Sequence, residues 1–199
     1  MNGGQGRTTD ERMTISLRKT DVTRLTLSAL FLALALALPF LTGQIPQLGS
    51  ALLPMHLPVL LCGMICGWPW GLAVGLICPL LRTLLFGMPP LMPTAIAMAF
   101  ELGAYGAFAG LLYTRFAQKP TRVYLALIGA MLLGRVVWGL VSWCLYSLIL
   151  AKPFTIALFL AGAFVNAWPG ILVQLVLVPL VVVALEKAKL LPLGHAKAA

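Results

Sequence analysis

Three charged residues lie inside apolar stretches of the sequence: Arg82, Glu101 and Arg135. A charge buried in a membrane is costly unless it is paired or faces a polar cavity, so such residues mark functional sites. The three charges sum to +1, so an ion pair between Glu101 and one arginine would leave the other arginine to bind an anionic group. The alternatives are a purely structural ion pair and, for Arg82 near the end of its stretch, snorkelling toward the interface.

Arg135 is the first choice to meet a negative group of a ligand, because it lies near the middle of its stretch and Trp138 follows about one turn later. Tyr105 likewise follows Glu101 by one turn. A ligand pocket combines a few placed polar groups with an apolar, aromatic floor. The other side chains that would complete such a pocket are Asn166, Gln174, His56 and Gln44.

Some of these residues also have structural interpretations. Trp138, Trp143 and Tyr146 alternatively form an aromatic belt at the membrane interface. His56 alternatively caps or packs the start of a helix. The uncharged segment that contains Gln44 is expected to form a mobile lid in which Ile45 covers an apolar site, and a plain connector is the alternative.

The sequence contains no recognisable catalytic motif. The nucleophile elbow G-x-S-x-G, the zinc-binding H-E-x-x-H and the phosphate-binding P-loop are all missing. We therefore expect no catalytic residues, no cofactor and no ATP hydrolysis in this chain. The four cysteines lie in apolar stretches and are expected to be buried thiols rather than metal ligands: Cys62, Cys66, Cys78 and Cys144.

The composition is that of an integral membrane protein. Hydrophobic residues make up 61% of the 199 residues and charged residues only 10%, whereas soluble domains carry about 25% charged residues. A soluble chain of this size cannot hide so much apolar surface, which excludes an ordinary soluble enzyme, a disordered chain and a secreted disulfide scaffold. The net charge of +9 is explained by membrane topology rather than by nucleic acid.

Six apolar stretches predict an all-α protein with six transmembrane helices, since about 20 apolar residues cross a bilayer. The membrane domain is predicted over residues 21–190, between a polar tail at 1–20 and a second tail at 191–199. Within it the spans are expected at about 22–41, 53–66, 72–86, 94–116, 123–150 and 157–185.

Charge placement orients the predicted bundle. Eleven lysines and arginines fall in the N-terminal segment through Arg24, in the loop after the fourth span and in the C-terminal segment, while Lys152 alone lies on the other side. Because cytoplasmic loops are rich in lysine and arginine, both termini are predicted to be cytoplasmic. The loops around residues 45, 90 and 152 then face outward.

Small residues recur at four-residue spacing along several spans. The first span carries Ala29, Ala33 and Ala37, a stripe that lets another helix approach closely. Packing within the bundle and contact with a partner are both open for this stripe. Internal packing is expected for the glycine pairs Gly63/Gly67, Gly71/Gly75 and Gly106/Gly110.

Taken together, these segments resemble the substrate-binding S components of energy-coupling factor (ECF) transporters, over residues 22–190. The resemblance rests on the alanine stripe, on the uncharged loop that leads into Pro54-Met-His-Leu-Pro-Val-Leu-Leu61, and on Gly-Trp-Pro-Trp-Gly-Leu-Ala-Val-Gly at 67–75. It also rests on Trp168-Pro-Gly-Ile-Leu-Val-Gln174, followed by Pro179 and Leu185-Glu-Lys187.

The resemblance implies a mechanism. An S component is a six-helix subunit of a prokaryotic cell membrane that binds a vitamin or micronutrient near its outer face, beneath the loop after the first helix. It docks through the alanine stripe on a membrane coupling subunit, which rests on two ABC-type ATPases that hydrolyse ATP. The loaded subunit topples in the bilayer and carries its site to the cytoplasm.

The sequence indicates the family more clearly than the substrate. A site with a net positive charge favours an anionic or zwitterionic vitamin, with pantothenate as the leading candidate and cobalamin, a pyrimidine precursor or a queuosine precursor open. The alternatives to an S component are a stand-alone secondary transporter of a small anionic or zwitterionic solute and a non-catalytic membrane scaffold.

Overall fold

A computed structural model describes residues 4–42, 45, 49, 51–116 and 121–188, with side chains from residue 21 onward apart from Thr42. In these residues the chain forms helices and turns, and no strand occurs. The helices are α1 (Gly4–Ala37), α2 (His56–Cys66), α3 (Trp68–Phe86), α4 (Ile96–Arg115), α5 (Thr121–Cys144), α6 (Ile156–Val165) and α7 (Trp168–Lys187). A 3₁₀ turn extends α1, and single π-helical turns precede α4 and follow α5.

Five helical segments of the described chain are long and apolar enough to cross a membrane. They are Asp21–Leu41, Trp68–Phe86, Leu91–Arg115, Thr121–Ile149 and Trp168–Lys187. Helices α2 and α6 are apolar but shorter. The protein is therefore a multi-pass membrane protein, with five candidate spans where the sequence predicts six.

The helix boundaries differ from the predicted spans at both ends of the chain. The predicted span 157–185 is divided into α6 and α7 by a turn at Asn166 and Ala167, and Pro169 lies in the first turn of α7. Proline lacks an N–H group, so it is accommodated at the start of a helix rather than inside one. At the N-terminus, α1 begins at Gly4, within the predicted tail, and no glycine or proline interrupts residues 7–38.

Helix α2 is short and lies in the centre of the bundle. Its 11 residues span roughly 16 Å at 1.5 Å per residue, about half of a hydrocarbon core. Ten of the 11 are buried, and Pro58 is tolerated because it lies in the first turn. The helix begins at His56, three residues later than the predicted span, so this histidine is placed inside the protein rather than at its rim.

Glycines allow α2, α3 and α4 to cross at close range, which confirms internal packing for five of the six glycines: Gly63, Gly71, Gly75, Gly106 and Gly110. Gly67 instead forms the turn between α2 and α3, with a φ of 100° that favours glycine. A Cβ atom on Gly71 would lie 2.6 Å from the Gly106 carbonyl oxygen and 2.6 Å from the Cα of Gly63. A Cβ atom on Gly110 would lie 2.5 Å from the backbone nitrogen of Trp68. These neighbours are backbone atoms, which cannot move aside as a flexible side chain can.

The end of the bundle opposite α2's first turn is tied by a polar cluster. Glu186 of α7 accepts a hydrogen bond from Arg122 NH2 at 2.7 Å and another from the Tyr113 hydroxyl, and the Arg122 guanidinium lies 4.8 Å from the Tyr113 ring centroid. Among the cysteines, Cys62, Cys66 and Cys78 are buried as expected, whereas Cys144 is exposed.

The helix crossing makes Gly106 a sensitive position. We expect Gly106→Ala to lower the unfolding temperature, because its methyl group would overlap the Gly71 backbone, and overpacking typically costs about 1–3 kcal/mol. Gly129→Ala is the matched control, since the nearest atom is the end of the flexible Leu112 side chain. Thermal unfolding of the purified protein in detergent measures both; equal unfolding temperatures would contradict the close crossing.

Candidate functional site

A buried ion pair joins α4 to α5. Arg135 NH1 donates a hydrogen bond to Glu101 Oε1 at 2.8 Å, and His56 Nε2 of α2 lies 3.6 Å from the same oxygen. All three side chains are buried: Glu101 is 2% exposed, Arg135 is 5% exposed and His56 is 1% exposed. Of the two arginines available to Glu101, the fold therefore selects Arg135.

Tyr105 supports this network from behind. Its ring meets the His56 ring edge-on with centroids 5.1 Å apart, and the Arg135 guanidinium carbon lies 6.0 Å from its centroid. Gly134 makes room for the tyrosine, because a Cβ atom there would lie 2.9 Å from the ring. Tyr105 is fully buried. Because its ring contacts both His56 and Arg135, it holds these two side chains in place.

Several buried polar atoms of the network have no hydrogen-bond partner among the described residues. They are Nε and NH2 of Arg135, both ring nitrogens of His56 and the hydroxyl of Tyr105. An unsatisfied buried donor or acceptor costs about 1–3 kcal/mol, and native structures satisfy such groups with protein, water or ligand atoms. The network is therefore suited to receive polar atoms from a bound molecule.

Arg82 is held separately, at the junction of α1 and α3. Its NH1 donates to the carbonyl oxygen of Leu36 at 2.9 Å, and its guanidinium carbon lies 5.4 Å from the ring centroids of both Phe40 and Phe86. Arg82 is 4% exposed, so the charge is not snorkelling into water.

A cavity of about 530 Å³ connects the two positively charged positions. It lies above the first turn of α2, where the short helix leaves space, and its volume is in the range of small-molecule sites. The polar side chains that line it are His56, Arg82, Thr94, Glu101, Arg135 and Asn166. Methionines, prolines and Trp138 supply most of the remaining wall.

Segments between helices enclose the cavity on the outside. Ile45 and Gly49 come from the segment before α2, Met88–Pro90 from the turn after α3, and Gly162 from α6. A Cβ atom on Gly162 would lie 2.7 Å from the Trp138 ring, so α6 packs directly on this tryptophan. All of these segments lie at the end of the bundle away from the basic residues of the other loops.

The structure brings together six of the nine predicted site residues on one cavity: Arg82, Glu101, Arg135, His56, Trp138 and Asn166. Tyr105 lies behind them and does not line it. Gln174 of α7 is buried with an amide that has no partner in the described part of the chain, and it also lies off the cavity. Gln44 lies outside the described residues.

Sequence reasoning missed Thr94, in the π-helical turn before α4, and Met98, in the first turn of α4, both of which line the cavity. They precede Glu101 by seven and three residues, a spacing that places all three on one helix face. That spacing was a usable signal. Met55 and Pro39 also line the cavity, and their positions depend on turns that periodicity does not reveal.

The aromatic residues fall into two groups. Trp138 lines the cavity and stacks on Phe159 with centroids 6.0 Å apart, and Tyr146 packs on Phe154 at 5.6 Å. Trp143 is exposed and contributes to the lipid-facing surface. Trp138 therefore lies on the cavity and packs against α6, whereas Trp143 is exposed.

The alanine stripe of α1 faces away from the bundle. Ala29, Ala33 and Ala37 are all exposed, whereas Phe31 and Ala35 on the opposite face are buried. The stripe is thus not used for packing against the described helices of this chain.

A comparison with protein families gives a match over most of the chain. The model described as "ECF transporter, substrate-specific component" matches residues 23–182. No curated protein and no solved structure matches the chain. The matched region contains the cavity, the buried charges and the alanine stripe.

The buried ion pair predicts strongly non-additive stability effects. Glu101→Gln and Arg135→Met should each destabilise the fold by about 3–5 kcal/mol, because each leaves one partner buried without its counter-charge. The double variant, which removes both charges, should be more stable than the sum of the single effects predicts. Thermal unfolding of the four proteins in detergent completes the cycle, and additive effects would show that the pair is not coupled.

Proposed function

The chain belongs to the family of substrate-specific components of ECF transporters, and we propose that it captures a vitamin or related micronutrient with high affinity at the outer face of a prokaryotic cell membrane. Members of this family are substrate-binding transport subunits and not ATPases themselves. In this proposal the chain is a transport subunit, and its own task is to recognise the substrate.

The observation that carries this proposal is the cavity above α2. Its roughly 530 Å³ are lined by buried charged residues and by apolar side chains, a combination that suits a small polar molecule. Arg82, Glu101 and Arg135 give the cavity a net charge of +1. This charge favours an anionic or zwitterionic substrate, and the volume favours pantothenate or a small precursor over cobalamin.

The proposed topology has six spans and cytoplasmic termini. Helix α2 counts as a span together with residues 51–55, which directly precede it. In this arrangement Arg24, Arg115 and Lys187 lie on the cytoplasmic side, as the positive-inside rule requires. The cavity then opens toward the outside, where substrate is collected.

The proposed partners are a membrane coupling subunit and two ABC-type ATPases, which hydrolyse the ATP that this chain does not use. The exposed stripe of Ala29, Ala33 and Ala37 supports docking, because small side chains let two helices approach closely in lipid. A scaffold without a ligand is disfavoured by the buried charged side chains that line the cavity.

Substrate capture is tested by purifying the protein in mild detergent and identifying co-purifying small molecules by mass spectrometry. We expect one organic compound at close to one molecule per protein, which is retained through dilution. Uptake of that compound by cells should require the coupling subunit and both ATPases. Uptake that persists without them and depends on an ion gradient would instead identify a secondary transporter.

The docking face is tested by adding bulk to the stripe. We expect Ala33→Trp to abolish uptake and co-purification with the coupling subunit, while the isolated protein still binds its compound, because the indole blocks close helix approach. Ala184→Trp, the same change at an exposed alanine of α7, is the matched control and should retain uptake. Normal uptake by the Ala33 variant would exclude the stripe as the docking face.

A further inference from the structure

We propose that Arg82 binds the anionic group of the substrate, while the Glu101–Arg135 pair binds an uncharged polar group at its other end. The substrate class that fits is a small monoanion with an apolar middle and an amide or hydroxyl at the far end. This inference rests on the proposed function, since it specifies what the same cavity accepts. It also reverses the order of the two arginines predicted from the sequence.

Of the two arginines that line the cavity, Arg82 is the one without a neighbouring carboxylate. Its guanidinium contacts the carbonyl oxygen of Leu36 and the rings of Phe40 and Phe86. These contacts fix the plane of the guanidinium but supply no negative charge. A guanidinium carries five donors in a rigid fork that matches a carboxylate, so a substrate carboxylate would both pair the charge and use the remaining donors.

No described carboxylate is available to Arg82 in place of a substrate. Glu101 is engaged by Arg135 and lies beside His56. Glu186 pairs with Arg122 at the other end of the bundle. Asp21, the remaining acidic residue with a described side chain, begins the membrane part of α1, about 15 residues before the turn that meets Arg82 and therefore at the opposite end of the helix.

The Glu101–Arg135 pair offers hydrogen bonds without net charge. Arg135 uses NH1 for Glu101 and keeps Nε and NH2 without partners among the described residues, and His56 adds two ring nitrogens. A second anion placed here would approach the Glu101 carboxylate, and the two like charges would repel each other in a low dielectric. A carbonyl or hydroxyl oxygen accepts the same hydrogen bonds without that repulsion.

The wall between the two positions is apolar. Met55, Met88, Met98 and Trp138 line the cavity together with prolines. Such a wall accommodates a hydrocarbon segment and disfavours a second charge in the middle of the substrate. The cavity thus selects against cations, which Arg82 repels. It also selects against molecules with an additional phosphate, because the other described arginine that lines the cavity, Arg135, is already paired with Glu101.

Four probes test the substrate class by isothermal titration of the purified protein. Pantothenate is a monocarboxylate with an amide and hydroxyls, panthenol is its neutral alcohol, 4′-phosphopantothenate adds a phosphate, and thiamine is a cation. We expect pantothenate to bind at least about 30-fold more tightly than each of the others, the loss typical of removing one partner of a buried charge pair.

Two variants identify the residues responsible. Arg82→Met should remove the preference for pantothenate over panthenol. The variant loses the contact with the substrate carboxylate, which is the group by which the two probes differ. The matched double variant Glu101→Gln with Arg135→Met keeps the net charge of the site and should weaken both probes by a similar factor, so that their ratio is unchanged. Arg82→Lys should restore part of the preference, since a point charge replaces a planar fork.

The opposite pattern would overturn the inference: an unchanged pantothenate-to-panthenol ratio in Arg82→Met, or a ratio lost in the double variant. Tighter binding of panthenol, phosphopantothenate or thiamine by the wild type would also overturn it and leave the proposed function intact. If none of the four binds, the compound identified by mass spectrometry decides, because a monoanion supports the inference and any other charge class excludes it. The absence of any bound compound would overturn the proposed function, and this inference with it.

Discussion

The ion pair between Glu101 and Arg135 is the interaction on which the arrangement of this bundle depends. Neither charge is tolerated alone in a low-dielectric interior, so α4 and α5 must adopt the register that brings the two side chains within 2.8 Å. His56 and Tyr105 then pack around the pair and connect it to α2. The pair thereby fixes the floor of the cavity as well as the relation of three helices.

The space above that floor results from helix length and close packing. Because α2 spans only 11 residues, its first turn stops inside the bundle, and Leu53, Pro54 and Met55 directly before it line the cavity. The glycines at which α2, α3 and α4 cross, such as Gly63, Gly71 and Gly106, do not line this cavity. One end of the protein is thus packed backbone to backbone, and the other is left open for a ligand.

The sequence predicted the class of protein, the buried charges and five of the six polar side chains that line the cavity, since each follows from local composition or helical spacing. It did not predict which arginine pairs with Glu101. Arg82 and Arg135 are both compatible with the spacing, and only the crossing of α4 and α5 decides between them. The break of the last predicted span into α6 and α7 had a local signal in Pro169. The residues around it are mostly apolar, however, so their hydrophobic pattern does not distinguish one long tilted helix from two shorter ones. Tyr105 shares a helix face with Glu101, and its position behind the cavity depends on the missing side chain of Gly134.

Helix α1 links the two features that the proposed function requires. Its last turns present Ala33 and Ala37 to the outside, while the carbonyl oxygen of Leu36 in the same turn accepts the hydrogen bond from Arg82. The following turn supplies Pro39 to the cavity wall and Phe40 to the Arg82 guanidinium. The C-terminal end of α1 is therefore held in place by Arg82, which lines the cavity. A change in how Arg82 is satisfied acts on this helix within one turn of its exposed stripe, which places substrate recognition and the proposed docking face on one rigid element.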